Sequence, residues 1–278
     1  METERVYPNN GDDVTSTIYN FSGLVEPHEQ YGLKPVAILQ NSGDPDSSRS
    51  VASPHFRGIW PVADRDAPPR AEKIIRAVQS TDPTTPIIFN GEWGQRLFGS
   101  ASWDGRSHDV TRDVVRTAYE ACGGLRPIGV YGVPVSKRRT EYSPLWASRF
   151  RRFVHRPFRA RDERGRYESL GAATYLAWCC PSLYYPSRAR GWGDFVKATT
   201  VWASRVQRLW QRPIVPFISV ERFDTGERWH PRDFGVYAQH VLSLSNVNAA
   251  ILWLRHSETA ETAKPYLEVL HEYTEPAA

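Results

Sequence analysis

The segment Pro86-Ile-Ile-Phe-Asn-Gly-Glu92 places a carboxylic acid directly after a short apolar run. Side chains alternate along an extended segment, so Asn90 and Glu92 would face the same side. Apolar neighbours such as Trp93 would partly desolvate the acid and keep a proton on it, available to a leaving oxygen. Glu92 is therefore the candidate catalytic acid; an ion pair with a nearby arginine such as Arg96 is the structural alternative.

Asn90 adds a second function to this segment. Its amide carries one acceptor and two donors, enough to hold a sugar N-acetyl group for attack on its own anomeric carbon. This substrate-assisted route is a recognised exception to hydrolysis by two carboxylates. The Asn90 and Glu92 pair therefore predicts a glycoside hydrolase.

Glu221, in Ser219-Val-Glu-Arg222, is a second carboxylate that closes an apolar run. If the two acids stood about 5 Å apart, a double-displacement retaining mechanism would be possible, whereas about 6.5 to 9.5 Å would suit inversion. An ion pair of Glu221 with Arg222 or Arg228 is the alternative interpretation.

Short apolar runs recur along the chain between segments with helical spacing, which is typical of an α/β protein built from βα units. The runs lie at residues 36–39, 56–60, 86–89, 127–131, 173–178, 214–220 and 249–253. Helices are predicted at Arg70–Gln79, Val110–Cys122, Trp192–Gln211 and Arg232–Leu244. Seven runs predict a TIM-type (β/α)-barrel, seven-stranded or distorted. The whole chain, 1–278, would form one domain, with 1–33 an irregular N-terminal arm.

In such barrels the active site lies at the C-terminal ends of the strands. The residues that close the apolar runs are therefore the candidate substrate contacts, namely Asp64, Trp93, Tyr131, Tyr184, Glu221, Arg222, Trp253 and His256. Each has a structural alternative. The rings could fill the core, Asp64 could cap a helix, and His256 could be a hydrogen-bonded loop residue.

Composition narrows the classes of ligand. The chain has 10 Trp, 13 Tyr and 11 Phe and a net charge of +4, with a basic excess at residues 137–139 and 149–166. Aromatic rings are surfaces on which sugars stack, and basic charge makes an anionic polysaccharide a candidate substrate. No nucleic-acid-binding motif accompanies the charge, so nucleic acid is not the expected partner.

Several other classes find no support in the sequence. There is no Cys-x-x-Cys or His-Glu-x-x-His, so we expect no metal and no cofactor. Cys122, Cys179 and Cys180 form no disulfide framework and are expected to be buried thiols. No apolar run reaches the roughly 18 to 20 residues that cross a bilayer, and residues 1–20 are unlike a signal peptide, so we expect a soluble chain. Secretion after loss of a leader and association with a virion both stay open.

Five motifs, in the same order along the chain, resemble segments of the hyaluronidase family of glycoside hydrolases. Glu92-Trp93 with Trp103-Asp104 resembles its Asp-x-Glu segment and downstream Trp-Asp, and Val130-Tyr-Gly-Val-Pro134 resembles its Tyr-Gly-Phe-Pro. The others are Pro181-Ser-Leu-Tyr184, Pro213 to Val220 with Phe223-Asp-Thr225, and Ala249 to Trp253 with the helix that holds Tyr266. The resemblance covers roughly residues 85 to 270.

The resemblance implies that Glu92 is the proton donor and that Tyr184 lines the subsite of the reacting sugar. The chain also differs from the family's pattern at several positions. Asn90 stands where the family has Asp, which removes a negative charge beside the cationic intermediate, although another family of endo-acting N-acetylglucosaminidases uses Asn-x-Glu. The family's second active-site Tyr falls near Arg222, and its Trp near His256, so neither transfers. The disulfide cysteines of the secreted animal enzymes are absent, which indicates a microbial or viral relative.

Three hypotheses follow. The first is an endo-acting, retaining, substrate-assisted hydrolase of a polysaccharide that contains N-acetylhexosamine, such as hyaluronan or chondroitin. The second is a retaining glycosidase with Glu92 as acid/base and Glu221 as nucleophile. The third is a catalytically inactive barrel that binds carbohydrate.

Overall fold

The computed structural model describes residues 17–21, 31–40, 71–90, 105–131, 172–181, 183–184, 192–222, 226–254 and 259–273. Within these ranges, strands lie at Thr17–Phe21 (β1), Lys34–Pro35 (β2), Ala37–Gln40 (β3), Ile87–Asn90 (β4), Ile128–Tyr131 (β5), Trp178–Cys180 (β6), Phe217–Ser219 (β7) and Ala249–Trp253 (β8). Helices lie at Ala71–Gln79 (α1), Gly105–Ala121 (α2), Trp192–Trp210 (α3), Pro231–Leu242 (α4) and Ala260–His271 (α5). From β3 onward, each strand except β5 is followed by one of these helices.

The named strands form two parallel ladders, in the orders β2-β1-β8-β7 and β3-β4-β5-β6. On one side the ladders are joined because β2 and β3 belong to one chain segment, with only Val36 between them. On the other side, the Cys179 amide donates to the Pro213 carbonyl at 2.9 Å, and the Val215 amide donates to the Cys179 carbonyl at 2.8 Å. The ladder therefore closes into a (β/α)-barrel with seven strand positions among the described residues, and the predicted fold class is confirmed.

Strand β1 corrects the prediction that residues 1–33 form an irregular arm. Thr17–Phe21 pairs with β8 over its whole length, from Thr17 opposite Ala249 to Phe21 opposite Trp253. The segment Thr17-Ile-Tyr-Asn-Phe21 is rich in β-branched and aromatic residues, which suit a strand. Thr17 and Asn20 interrupt its apolar pattern, so the search for apolar runs did not predict this strand. The single-domain boundary of 1–278 stays a prediction.

Two predicted strands are shorter in the structure. At residues 173–178, Ala172–Tyr175 forms a 3₁₀ turn, and Tyr175 packs against Tyr119 of α2 with ring centroids 5.4 Å apart. At residues 214–220, β7 is reduced to three residues because Pro216 has no amide hydrogen to donate. The predicted strand at 56–60 lies outside the described residues.

The helices agree with their predicted positions to within a few residues, and α2 begins five residues earlier than expected. Two of them show clear start signals. Helix α4 has Pro231 at its first position, where a missing amide hydrogen costs nothing. Helix α5 begins with a reciprocal capping box between Thr259 and Thr262. No helix in the described part is long and apolar enough to cross a membrane.

The core has two layers, separated by the strands. The outer layer packs the strands against the helices and includes Ile18, Phe89, Val130, Phe195, Ile218 and Leu252. The inner layer fills the barrel and includes Ile88, Cys180, Tyr184, Val215, Phe217, Ala249 and Ile251, with Tyr19, Tyr131, Trp178 and Trp253 packed against it. Alternation along each strand explains this division, since successive side chains point to opposite faces.

Arg126 hydrogen-bonds neighbouring segments at the end of the barrel where the strands begin. Its guanidinium donates to the Thr85 carbonyl at 2.7 Å, to the Val78 carbonyl at 3.2 Å and to the Thr85 hydroxyl at 3.1 Å. The side chain is buried, and this burial lowers its pKa. Arg126 therefore ties the end of α1 to the segments that lead into β4 and β5.

Gly129 lies on the inner face of β5, where there is no space for a side chain. A Cβ atom there would meet the Cys180 sulfur and would lie 2.8 Å from Ile88 Cδ1. We expect Gly129→Ala to lower the free energy of unfolding by about 1 to 3 kcal/mol, measured by urea denaturation. Gly193→Ala in α3 is the matched control, because nothing lies within 4 Å of a Cβ there. Equal stability of the two variants would contradict this account of the interior.

His240 joins α4 to α3. Its Nε2 lies 2.7 Å from the Thr199 hydroxyl, and that hydroxyl is 2.8 Å from the Phe195 carbonyl. The rings of Trp192 and Phe195 lie against the imidazole, with centroids 5.6 and 5.7 Å away. Burial lowers the His240 pKa from 6.5 to about 4, and the folded protein holds this side chain neutral.

This burial predicts a stability that depends on pH. Between pH 6.5 and about 4 the unfolded chain binds a proton at His240 that the folded chain does not. Stability contributed by neutral His240 is therefore complete above pH 6.5 and falls on acidification through that window. We expect a loss on the order of 1 to 2 kcal/mol after allowance for partial exposure. Urea denaturation of wild type and His240→Gln at a series of pH values measures this loss as the difference between the two proteins. If the free energies of unfolding of the two proteins changed in parallel with pH, His240 would not be the group responsible.

Candidate active site

The carboxyl ends of the parallel strands meet at one rim of the barrel, which we call the mouth. Asn90 ends β4, Tyr131 ends β5, Ser219 ends β7 and Trp253 ends β8. Register places Ser219 beside Trp253 and Gln40 beside Asn90. Several of the predicted strand-end residues therefore belong to a common rim, as in other barrels of this type.

Tyr184 and Trp253 form an aromatic pair at the mouth. Tyr184 follows β6 and Trp253 closes β8, and their ring centroids lie 6.1 Å apart with the planes tilted by 38°. Strand β7 lies between these two walls, because the Leu183 amide donates to the Phe217 carbonyl at 3.0 Å and β7 pairs with β8. The two rings therefore meet in front of the inner face of β7. We call this pair the aromatic floor.

Tyr131 contributes from another wall. Its ring meets the edge of Phe217 with centroids 4.8 Å apart and an interplanar angle of 88°. Deeper in the barrel, Tyr19 and Trp178 lie 5.3 Å apart, and burial raises the pKa of Tyr19. The interior is therefore closed by rings below the mouth.

Glu221 follows β7 at the mouth and is only 6% exposed. Val220 before it packs into the outer core, and Arg222 after it stacks on Trp229, which belongs to the same outer layer. The chain bends at Val220, and Glu221 lies two residues beyond Ser219, the last residue of β7. Its amide donates to the Ser219 hydroxyl at 3.1 Å.

Arg222 faces away from the mouth. Its guanidinium carbon lies 4.9 Å from the centre of the Trp229 ring, and Nη1 lies 3.7 Å from Glu227 Oε2. Trp229 stacks in turn on Tyr237 of α4, with ring planes 10° apart. These contacts hold residues 222 and 226–229 against the helical layer. They give Arg222 a structural role, while its predicted contact with substrate stays a prediction.

Four predicted site residues lie outside the described residues: Asp64, Glu92, Trp93 and His256. Asn90 is the last residue of β4, two positions after Ile88, which belongs to the inner layer. The predicted roles of Glu92 and Asn90 therefore stay predictions. Tyr131, Tyr184, Glu221 and Trp253 are brought to the mouth.

The cysteines behave as packing residues. All three are free; Cys179 and Cys180 are buried as expected, whereas Cys122 is only partly buried. Burial raises the pKa of the Cys180 thiol well above its ordinary value, so the thiol stays protonated and is a poor nucleophile. Among the described residues, no group of three His, Cys, Asp or Glu side chains could hold a metal ion.

The sequence did not identify Trp229, whose ring stacks against the Arg222 guanidinium. The Trp229 carbonyl accepts a hydrogen bond from the Tyr266 hydroxyl at 2.7 Å, which links Trp229 to α5. The pairing of Glu221 with Arg228 in an antiparallel bridge brings Trp229 back to Arg222. The spacing of residues in the sequence carries no direct signal of that turn.

No protein-family model and no curated protein sequence matches the chain. Among solved structures, bee venom hyaluronidase in complex with a hyaluronic acid tetramer matches with a TM-score of 0.56 and 13% identity, over 86% of this chain and 90% of that chain. The chain shares the fold of bee venom hyaluronidase. A monoclinic crystal structure of that enzyme matches with a TM-score of 0.52 and 11% identity, over 90% and 94% of the two chains. At this identity the likeness establishes the fold alone.

The position of Arg222 predicts a loss of stability when its guanidinium is removed. Arg222→Met should lower the free energy of unfolding by on the order of 1 kcal/mol, because it removes a cation–π contact and a partly exposed ion pair. Thermal denaturation measures this, with Arg208→Met on α3 as the control. Unchanged stability, together with weaker binding of an anionic polysaccharide, would instead assign Arg222 to the substrate.

Proposed function

We propose that this protein is an endo-acting glycoside hydrolase that cleaves a polysaccharide containing N-acetylhexosamine, with Glu92 as the proton donor. The observation that carries the proposal is the aromatic floor of Tyr184 and Trp253 at the mouth of a (β/α)-barrel. Ring faces of this kind are suited to the apolar faces of sugars, while buried acids supply the proton and the charge that glycoside cleavage needs.

The fold supports the same class of reaction. One of the matching structures is a hyaluronidase complexed with a hyaluronic acid tetramer, a polymer with acetamido groups and carboxylates. The present chain has a net charge of +4, which favours an anionic polymer. Hyaluronan and chondroitin are therefore the first substrates to test.

The chemistry follows a neighbouring-group route. The Glu92 carboxylic acid gives its proton to the glycosidic oxygen while the acetamido oxygen of the same sugar attacks the anomeric carbon. The bond between that carbon and the glycosidic oxygen breaks, and its electron pair leaves with the oxygen. Water then attacks the anomeric carbon, Glu92 takes a proton from the water, and the ring formed with the acetamido oxygen opens. The anomeric configuration is retained.

Asn90 would hold the acetamido group during this attack, and Tyr184 would line the subsite of the reacting sugar. Asn90 is the end residue of β4, adjacent in the barrel wall to Gln40. A neutral amide can orient the acetamido group, but it adds no negative charge near the cationic intermediate.

Glu92→Gln tests the proposal. It should lower kcat on hyaluronan or chondroitin by at least about 1,000-fold, because an amide has no proton of suitable acidity to give. Asn90→Ala should lower kcat by about 100-fold or more through loss of orientation. Reducing-end formation and product chromatography measure both. Glu268→Gln is the matched control, since this glutamate is exposed on α5.

Two outcomes would contradict the proposal. Wild-type protein that binds a panel of glycans without releasing product would be a carbohydrate-binding protein rather than an enzyme. Turnover that survives in Glu92→Gln with the wild-type fold, shown by circular dichroism, would remove Glu92 from the reaction.

A further inference from the structure

Helix α3 has one exposed face that carries positive charge. Lys197, Val201, Ser204 and Arg208 follow one another at intervals of four, three and four residues, which places them on the same face of a helix. Arg212 lies two residues beyond the end of the helix. All five side chains are exposed except that of Ser204, which is half-buried. We call these five residues the basic face.

The cations of the basic face have no acidic partner in the described part of the chain. On α5, by contrast, Lys264 pairs with Glu268 of the same helix, with Nζ and Oε1 3.7 Å apart. No described acid forms an ion pair with Lys197, Arg208 or Arg212. These three charges are therefore free to attract an external anion.

The middle of the basic face is apolar. The Val201 side chain is 54% exposed there. The Arg208 Nε donates to the Ser204 carbonyl at 3.4 Å, which directs the guanidinium back along the helix toward Val201. The other two guanidinium nitrogens of Arg208 have no partner among the described residues. An aliphatic side chain between cations suits a charged sugar polymer, because sugar rings present C–H groups between the carboxylates.

The basic face runs from the mouth side of the barrel toward the opposite end. Strand β6 ends at Cys180, Tyr184 of the aromatic floor follows, and α3 then runs back along the outside, as the helix of a βα unit does. The far end of α3 lies where the strands begin. There the Asn246 side chain, shortly before β8, donates to the Arg212 carbonyl at 2.6 Å.

We propose that the basic face binds the part of an anionic polysaccharide that extends beyond the mouth. This inference rests on the proposed function, from which the kind of polymer is taken. Each disaccharide of hyaluronan or chondroitin carries a carboxylate, so one chain presents a row of charges to the helix. A single exposed ion pair contributes little, but several contacts add when the same chain is already held at the mouth.

The composition of the basic face favours polysaccharide over nucleic acid, the other common polyanion. Proteins that bind single-stranded nucleic acid combine cations with aromatic rings on which the bases stack. The basic face includes no ring, and its centre is Val201. The rings described above lie at the mouth, where the sugar that reacts would bind.

Binding along α3 would act on the affinity for long chains rather than on the chemical step. The contacts are remote from the reacting bond and are the same in the bound substrate and in the transition state. Loss of such contacts raises KM and leaves kcat unchanged. The face therefore predicts a dependence of KM on the length of the polymer.

The first experiment measures the affinity for long hyaluronan by calorimetry. The protein carries Glu92→Gln so that the polymer stays intact, and chromatography checks its length. Adding the triple substitution Lys197→Gln, Arg208→Gln and Arg212→Gln should weaken binding about 5- to 30-fold, because three exposed charge contacts are lost.

A matched control separates position from net charge. Lys34→Gln, Arg76→Gln and Lys264→Gln together remove the same charge from exposed positions on β2, α1 and α5. This control should bind long hyaluronan within about twofold of the parent protein, since only the screened long-range attraction changes.

Substitutions at Val201 test the sign of the effect at one position. Val201→Glu, Val201→Gln and Val201→Lys place a negative, a neutral and a positive group at the middle of the face, at an exposed helical position that accepts all three. Relative to Val201→Gln, the Glu variant should bind about 2- to 5-fold more weakly and the Lys variant more tightly by a similar factor. Added salt should reduce both differences.

Kinetics with active protein give the second readout. On long hyaluronan the triple variant should raise KM about 5-fold or more and keep kcat within about twofold. On a hyaluronan hexasaccharide, of which little extends beyond the mouth, neither constant should change by more than about twofold.

The outcomes separate this inference from the proposed function. Equal losses in the triple variant and the control, equal binding by Val201→Glu and Val201→Lys, or no binding of long hyaluronan by the parent protein would each overturn the inference. Tighter binding of a single-stranded oligonucleotide than of hyaluronan at the same salt would assign the face to nucleic acid. If wild type shows no turnover, the proposed function fails, while the binding comparison still decides whether the face holds the polymer. If wild type is active but the triple variant keeps its KM, only the present inference fails.

Discussion

The narrow interior of the barrel constrains every side chain that points into it. Rings from strands that are not neighbours in the barrel wall meet there, since Tyr19 of β1 contacts Trp178 of β6, and Tyr131 of β5 contacts Phe217 of β7. So little space remains that β5 must carry a glycine at its centre. Layers of inward side chains are how a barrel of this width fills its centre. This packing among the described residues supports the proposed binding of a ligand above the last layer of rings, at the mouth.

Much of this architecture could be predicted from the sequence. Apolar runs of four or five residues between helical segments predicted the parallel strands β3, β4, β5 and β8, because both faces of such strands are buried. Strand β1 was missed because Thr17 and Asn20 break its apolar pattern, and residues 173–178 were misassigned because an apolar run does not by itself distinguish a strand from a turn that packs. Strand β1 forms by pairing with β8, and the turn at residues 172–175 packs through Tyr175 against Tyr119. Both contacts join residues that are far apart in the sequence.

The candidate site was predicted unevenly, for a similar reason. Tyr131, Tyr184 and Trp253 follow from the rule that strand ends face a common mouth, and that rule needs only the positions of the strands. The separation of Glu221 from Arg222 needs more, because it depends on which of two neighbouring residues faces inward. Trp229 beneath Arg222 fixes the outward direction of that guanidinium. An antiparallel bridge between Glu221 and Arg228 brings Trp229 to this position, and the sequence pattern does not show that bridge.

The contacts of Arg222 lie on the side of the barrel wall that faces the helices. Arg222 lies on the outer side between Trp229 and Glu227, and Trp229 is held by Tyr237 of α4 and Tyr266 of α5. The helical layer thereby fixes the outward direction of Arg222. Packing on the far side of the barrel wall thus keeps this guanidinium away from the mouth. A substitution among those outer rings would reach the mouth through the backbone, without contact with any bound sugar.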